Sequence, residues 1–201
     1  MVSAVVLAAG ESKRMGEKKE LLPIAGEQMI RSVVGKLLSS SKIDEVIVVL
    51  GERADEVGRA LAGITDERLE LVGNRRFREG MGTSLAHGVR ACSWGTDAIL
   101  FALGDAPFFT VEIVDALIDA HASGAAIAVP VNAGRRGHPV VLDGSYRVEL
   151  EGLEGDAGAR DTLERDAASI VEIEVGDDAF LVDIDNRDDY EAVKGGLAPR
   201  E

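Results

Sequence analysis

One cysteine, Cys92, stands in a chain of 201 residues, so no disulfide can close within it and no cysteine-based zinc set can form. That usage fits a reducing compartment, and a cytoplasmic location is expected. Aromatic residues are few: one Trp, two Tyr and five Phe. A platform for stacking the bases of single-stranded nucleic acid is therefore not expected. Positive charge is scarce as well. The 22 Lys and Arg face 36 Asp and Glu, for a formal net charge of −14, which repels nucleic acid and anionic membrane as bulk partners. Long apolar runs are missing: none approaches the ~20 residues a spanning helix needs. The apolar run near the N-terminus is short and has no basic flank, unlike a signal peptide.

What is present is an alternation of strand and helix patterns. Val2 to Leu7 is apolar almost throughout, as in a parallel strand buried on both faces. Ala8, Ala9 and Gly10 follow, and allow close approach of the backbone to a ligand. A polar, basic loop then runs to about Pro23. Ile24 to Gln28 reads as a short strand and turn, and Met29, Ile30, Val33, Val34, Leu37 and Leu38 recur at helical spacing over 28–39. Strands are expected at 46–50, 69–72, 97–103 and 125–131, with helices at 53–62, at 83–92 and after Thr110. Beyond 131 the pattern weakens. A short strand is expected over 139–142, a short helix over 159–168, an edge-like strand over 170–175, a strand over Phe180 to Asp185 and a last helix over 187–197. The reading is one α/β domain of three layers over 1–201, with a mostly parallel sheet and a small antiparallel excursion, drawn as a hairpin-like cover near 132–182. Residues 1–130 carry the regular alternation and 131–201 the irregular part.

Five stretches are candidates for chemistry. The loop from Gly10 to Lys19 lacks the dinucleotide fingerprint G-x-G-x-x-G. It also misses the G-x-x-x-x-G-K-[ST] loop, because Gly16 sits one position too far and Glu17 follows it. It suits a different phosphate cradle, with backbone N–H groups near Ala9 and Gly10, the Ser12 hydroxyl, and Arg14 and Lys19 as counter-charges. Asp105, between Gly104 and Pro107 at a strand's end, reaches the same sheet edge. A carboxylate beside phosphates is reconciled by Mg²⁺ or Mn²⁺. Asp183 and Asp185 alternate on one side of a strand and are candidates to complete that site. Gly80, Met81, Gly82, Thr83 and Ser84 offer close approach to a flat ring, with hydroxyls for its edge. Arg135, Arg136, Gly137 and His138 suit a second phosphate. His87 and His121 read as ordinary helical positions, and Cys92 as a buried thiol without a base.

The segments LAAGESKRMGEKKELLP (7–23), EGMGTSL (79–85), GDAP (104–107), GRRGHPVVL (134–142), GDAGAR (155–160) and DIDNRDDY (183–190) span nearly the whole chain. Together they resemble the successive motifs of the molybdenum cofactor cytidylyltransferases and their close relatives. The resemblance implies a Rossmann-like nucleotidyltransferase fold. It also implies transfer of CMP from CTP to the terminal phosphate of molybdenum-bound molybdopterin, with release of pyrophosphate. It carries triphosphate binding to Gly10, Ser12, Arg14 and Lys19, the base to Gly80–Ser84, the metal to Asp105, Asp185 and Asp183, and the pterin phosphate to Arg136, Gly137 and His138. It implies that residues 1–130 are mainly a nucleotide-binding half and 131–201 mainly the acceptor side with a second metal position. A molybdenum hydroxylase would be a transient partner. Three alternatives stay open: guanylyl transfer to molybdopterin, transfer to a sugar or alcohol phosphate, and a redox or cofactor-binding protein on the same fold.

Overall fold

The structure, a computed structural model, describes residues 1–12, 15–156, 158–182, 184 and 186–196. β1 (Val2–Ala8) leads through the first loop to a single 3-10 turn at Lys19–Leu21. The two-residue strands β2 (Pro23–Ile24) and β3 (Glu27–Gln28) form a hairpin ahead of α1 (Met29–Ser39). Then follow β4 (Glu45–Leu50), α2 (Ala54–Leu61), β5 (Leu69–Gly73), α3 (Met81–Ala91), β6 (Ala98–Leu103) and α4 (Val111–Ala122). The last third holds β7 (Ile127–Asn132), β8 (Arg135–Arg136), β9 (Val140–Asp143), α5 (Arg147–Glu151), α6 (Ala159–Arg165), β10 (Ile170–Glu174) and α7 (Arg187–Val193).

The main sheet runs in the order β10-β7-β9-β6-β1-β4-β5, with β8 paired to β7. β1 lies parallel between β4 and β6, and β5 is parallel to β4. Its alternate residues divide the core. Ala4, Val6 and Ala8 face a cluster built with α1, α2 and α4, whereas Val5 faces one built with α3 and α5. This is why the strand is apolar at nearly every position, and it gives the three expected layers. On α1 the buried residues are Met29, Ile30, Val33, Val34 and Leu37, the face that the spacing predicts. Thr110 caps α4 through a bond from the Ile113 amide, 3.4 Å. No helix among the described residues is long and apolar enough to cross a membrane.

Two expectations need correction. The segment near 132–182 is no separate cover. β9 inserts into the main sheet between β6 and β7, antiparallel to both. Val140, Val141 and Leu142 are all buried, so this short run needs sheet on both edges and helices on both faces. The strand expected over Phe180 to Asp185 is, in its described part, a 3-10 turn at Ala179–Leu181. The Phe180 ring is buried against Gly137, where a Cβ would lie 2.5 Å from it. Only a glycine at 137 leaves room for the ring there. The edge-like reading of 170–175 holds: β10 pairs with β7 alone at the end of the sheet.

Candidate active site

Parallel neighbours deliver their following loops to one edge, and β1 and β6 are such neighbours. The Gly104 amide donates to the Leu7 carbonyl, 2.9 Å, so the pairing continues to the residue before Asp105. Lys19 returns to this edge after the loop, and its Nζ lies 3.7 Å from Asp105 Oδ2. Two expected site residues that are 86 positions apart in sequence (105 minus 19) thus meet across one strand boundary.

The first loop is tied internally. Ser12 has a positive φ of 48°, and its carbonyl accepts from the Met15 amide at 3.0 Å. Its hydroxyl accepts from the Lys19 amide, 3.1 Å, and donates to Glu20 Oε2, 3.4 Å. Ala8 and Ala9 are buried and Gly10 is exposed, so the loop surfaces at the glycine. Beneath it lies a pair that sequence reasoning missed. Lys18 is 2% exposed and Glu20 is 5% exposed. Lys18 Nζ donates to the Ala8 carbonyl at 3.0 Å and to the Gly10 carbonyl, and sits 3.1 Å from Glu20 Oε1. Burial pushes the Glu20 carboxyl up despite the ammonium beside it, and the charge of Asp105 adds to that rise. In sequence, Lys18 is one more cation in a basic run. The acid two positions later is its only signal. Arg14 lies outside the described residues.

The segment from Gly73 to Ser84 is held by Asn74, also missed. Its amide nitrogen donates to Thr83 Oγ1 and Ser84 Oγ, both at 3.0 Å, and its Oδ1 accepts from the Arg76 amide at 2.9 Å. Thr83 and Ser84 are accordingly buried, whereas Met81 is 49% exposed. Gly80, with φ 122°, lies against the backbone of Gly155: a Cβ there would sit 2.1 Å from Gly155 C. The Gly82 amide donates to the Gly155 carbonyl at 2.9 Å. Two motifs widely separated in sequence, 79–85 and 155–160, are thereby docked on each other.

On the other flank, Arg136 Nε is 2.8 Å from Glu172 Oε1, and both side chains are exposed. The Gly137 amide donates to the Pro130 carbonyl, 3.1 Å. β9 opens at Val140 opposite Phe101, so Gly137 and His138 lie beyond that pair, towards the end of β6 that carries Asp105. Beside them is a cavity of about 360 Å³, lined among others by Phe108, Ile113, Ile173 and Phe180.

Asp183 and Asp185 lie outside the described residues. Ile184 is buried with Leu22, Ile24, Met29, Tyr190 and Val193, and the partly buried Met15 and Phe108 join them. Among the described residues no group of three or more His, Cys, Asp or Glu gathers around one point. A divalent cation here would be held by one or two carboxylates and by ligand phosphates, the usual arrangement for Mg²⁺, and Asp105 suits that role. Two other titratable groups, His121 and Cys92, sit in structural positions. His121 contacts Asp143 at 2.9 Å, where Asp143 pairs with the opening residue of β6, at the opposite edge of the sheet. Burial pushes the Cys92 thiol up to about 12, which leaves it an inert core group.

The model of the MobA-like NTP transferase domain matches residues 4–170. Purine catabolism protein PucB of Bacillus subtilis is 33% identical over 203 residues, covering 96% of each chain. Nicotine blue oxidoreductase of Paenarthrobacter nicotinovorans is 32% identical over 192 residues, covering 92% of each. The crystal structure of Rv0371c from Mycobacterium tuberculosis in complex with manganese has a TM-score of 0.79 to this chain. It is 25% identical and covers 98% of this chain and 99% of that one.

Proposed function

Because the chain belongs to the MobA-like NTP transferase family, we propose that it transfers a nucleoside monophosphate, CMP from CTP, to a phosphate on a small acceptor. The motif order favours molybdopterin as that acceptor. Nucleotidyl transfer is the chemistry of the fold; the base and the acceptor are the finer part of the proposal. The observation that carries it is the approach of Lys19 to Asp105, 3.7 Å apart at the shared edge of β1 and β6.

In this reading the loop amides, Ser12, Arg14 and Lys19 hold the triphosphate. An acceptor phosphate oxygen attacks the α-phosphorus in line, the bond to the bridging oxygen breaks, and pyrophosphate leaves. Lys19 and Arg14 take up the charge that develops on the leaving group. Asp105, with Asp185 and Asp183 as candidate partners, would hold Mg²⁺ or Mn²⁺, which when bound neutralises phosphate charge. The crystal structure of Rv0371c with manganese supports a divalent cation on this fold. No general base is needed, because a phosphate monoester with a second pKa of about 6 is already ionised near neutrality. Arg136 and His138, near the carboxyl end of β6, would receive the acceptor.

A second reading is a redox protein on the same fold, supported by the 32% identity to nicotine blue oxidoreductase. The absence of G-x-G-x-x-G after β1 counts against a dinucleotide there. Pyrophosphate release from CTP, GTP and ATP with Mg²⁺, with and without molybdenum-charged molybdopterin, separates these readings. Release that requires the pterin and prefers CTP is expected. Release with another base or acceptor keeps the mechanism and changes the substrate. No release from any triphosphate, with reduction of a quinone-like dye by NAD(P)H, would favour the second reading.

A further inference from the structure

Lys18 is buried at the base of the first loop, next in sequence to Lys19, and its partners are backbone carbonyls and Glu20. An ammonium has three N–H donors. Those of Lys18 are matched by three acceptors: the Ala8 carbonyl at 3.0 Å, the Gly10 carbonyl, and Glu20 Oε1 at 3.1 Å. The same Glu20 accepts from Ser12 through its other oxygen, 3.4 Å, and the Ser12 hydroxyl accepts from the Lys19 amide, 3.1 Å. One buried charge pair therefore touches the start, the middle and the end of the loop.

The consequence follows from peptide geometry. In a planar trans peptide the C=O and the N–H of the next residue point in opposite directions. Two carbonyls, of Ala8 and Gly10, are drawn inward onto one ammonium. The N–H groups of Ala9 and Glu11 are then directed away from it. Backbone N–H groups turned to one side of a loop can face anionic oxygens. A loop of this composition has no regular secondary structure to fix those peptides, and Gly10 by itself permits either orientation.

We propose that Lys18, with Glu20, is a positioning residue for nucleotide: the buried pair orients the Ala9 and Glu11 amides towards the triphosphate without touching it. This rests on the reading of the edge as a nucleotidyltransferase site, and adds to it a cation whose role is to hold backbone and not phosphate.

The test separates holding the loop from merely filling the core. Lys18→Met strands a buried carboxylate and destabilises the fold. The double variant Lys18→Met/Glu20→Leu removes both charges, and apolar replacement of a buried pair is often neutral for stability. Its melting temperature should return towards that of the parent. Its affinity for inorganic tripolyphosphate and for Mg²⁺–CTP, by calorimetry, should stay about tenfold or more below the parent, the scale of one or two charge-assisted hydrogen bonds. A double variant that binds both ligands as tightly as the parent would overturn the proposal. A second measurement needs no variant. The amide resonances of Ala9 and Glu11 should move on titration with tripolyphosphate, and a bound complex in which neither moves would also overturn it. If the parent binds neither ligand, the nucleotidyltransferase reading falls too, an outcome distinct from parental binding with an unaffected variant.

Discussion

At the end of β1 the loop from Gly10 to Lys19 rests on a lysine and a glutamate with 2% and 5% exposure. At the end of β7 the Arg136 side chain is held by an ion pair whose side chains are 42% and 44% exposed. The first arrangement cannot lose one partner without leaving a charge in the core. The second is screened by water and contributes little to stability. The difference matches the proposed division of labour. In the proposed reading, the triphosphate would meet a loop anchored on a buried pair, and the acceptor a surface that can change at little structural cost.

The largest effect should come from Asp105, at the end proposed to hold the triphosphate. Asp105→Ala is expected to lower turnover by about 10²–10³-fold or more, because charge neutralisation of the reacting phosphates is lost. The unfolding transition should stay where it is, since the side chain is partly exposed. Full activity in this variant would contradict the site.

Next comes the docking of the two glycine motifs. Gly80→Ala places a Cβ 2.1 Å from the Gly155 backbone at a φ of 122°. A loss of about 3 kcal/mol in denaturant unfolding is expected, from strain alone and before any clash. An unchanged midpoint would show that the 155–160 segment does not rest there.

A subtler effect is the pH dependence of Lys18→Met. The Glu20 carboxyl is raised chiefly by burial, so the folded chain keeps a proton that the unfolded chain has released. Stability from this group therefore falls as pH rises from about 4, the ordinary glutamate value, through the raised one. Removing the ammonium raises the carboxyl further. The deficit of the variant against the parent should be small near pH 4 and widen towards neutrality. A deficit that is constant with pH would mean that Glu20 is not the group left stranded.

The smallest structural effect is expected at the other end. Arg136→Ala should change stability by less than about 1 kcal/mol, as exposed pairs do. KM for the acceptor should nevertheless rise while that for nucleotide stays. A stability loss as large as that of Gly80→Ala would break the contrast between the two ends.

Much of the fold was legible because burial on both faces leaves an unmistakable apolar run, as at Val2–Ala8, Glu45–Leu50 and Ala98–Leu103. The later strands were harder. A strand is expected over 139–142 and β9 covers Val140–Asp143, but no local pattern says that it lies between β6 and β7. Phe180 belongs to an apolar stretch that looks extended, and no local pattern shows that its ring packs on Gly137, some 40 positions earlier, from a 3-10 turn. At the proposed site, the sequence singles out Lys19 and Asp105 because their chemistry suits phosphate and metal, and the structure brings the two side chains together. It does not single out Lys18, Glu20 or Asn74. Their roles are made by burial and by bonds to backbone, and a sequence shows a residue's chemistry long before it shows what surrounds it.

The most direct test of the central claim follows the α-phosphate. Parent protein would be incubated with Mg²⁺, molybdopterin and CTP radiolabelled at either the α- or the γ-phosphate. Nucleotidyl transfer predicts α-label in the acceptor product and γ-label in pyrophosphate. Transfer of γ-label to the acceptor, or release of unlinked CMP with no labelled product from any phosphate acceptor offered, would contradict it.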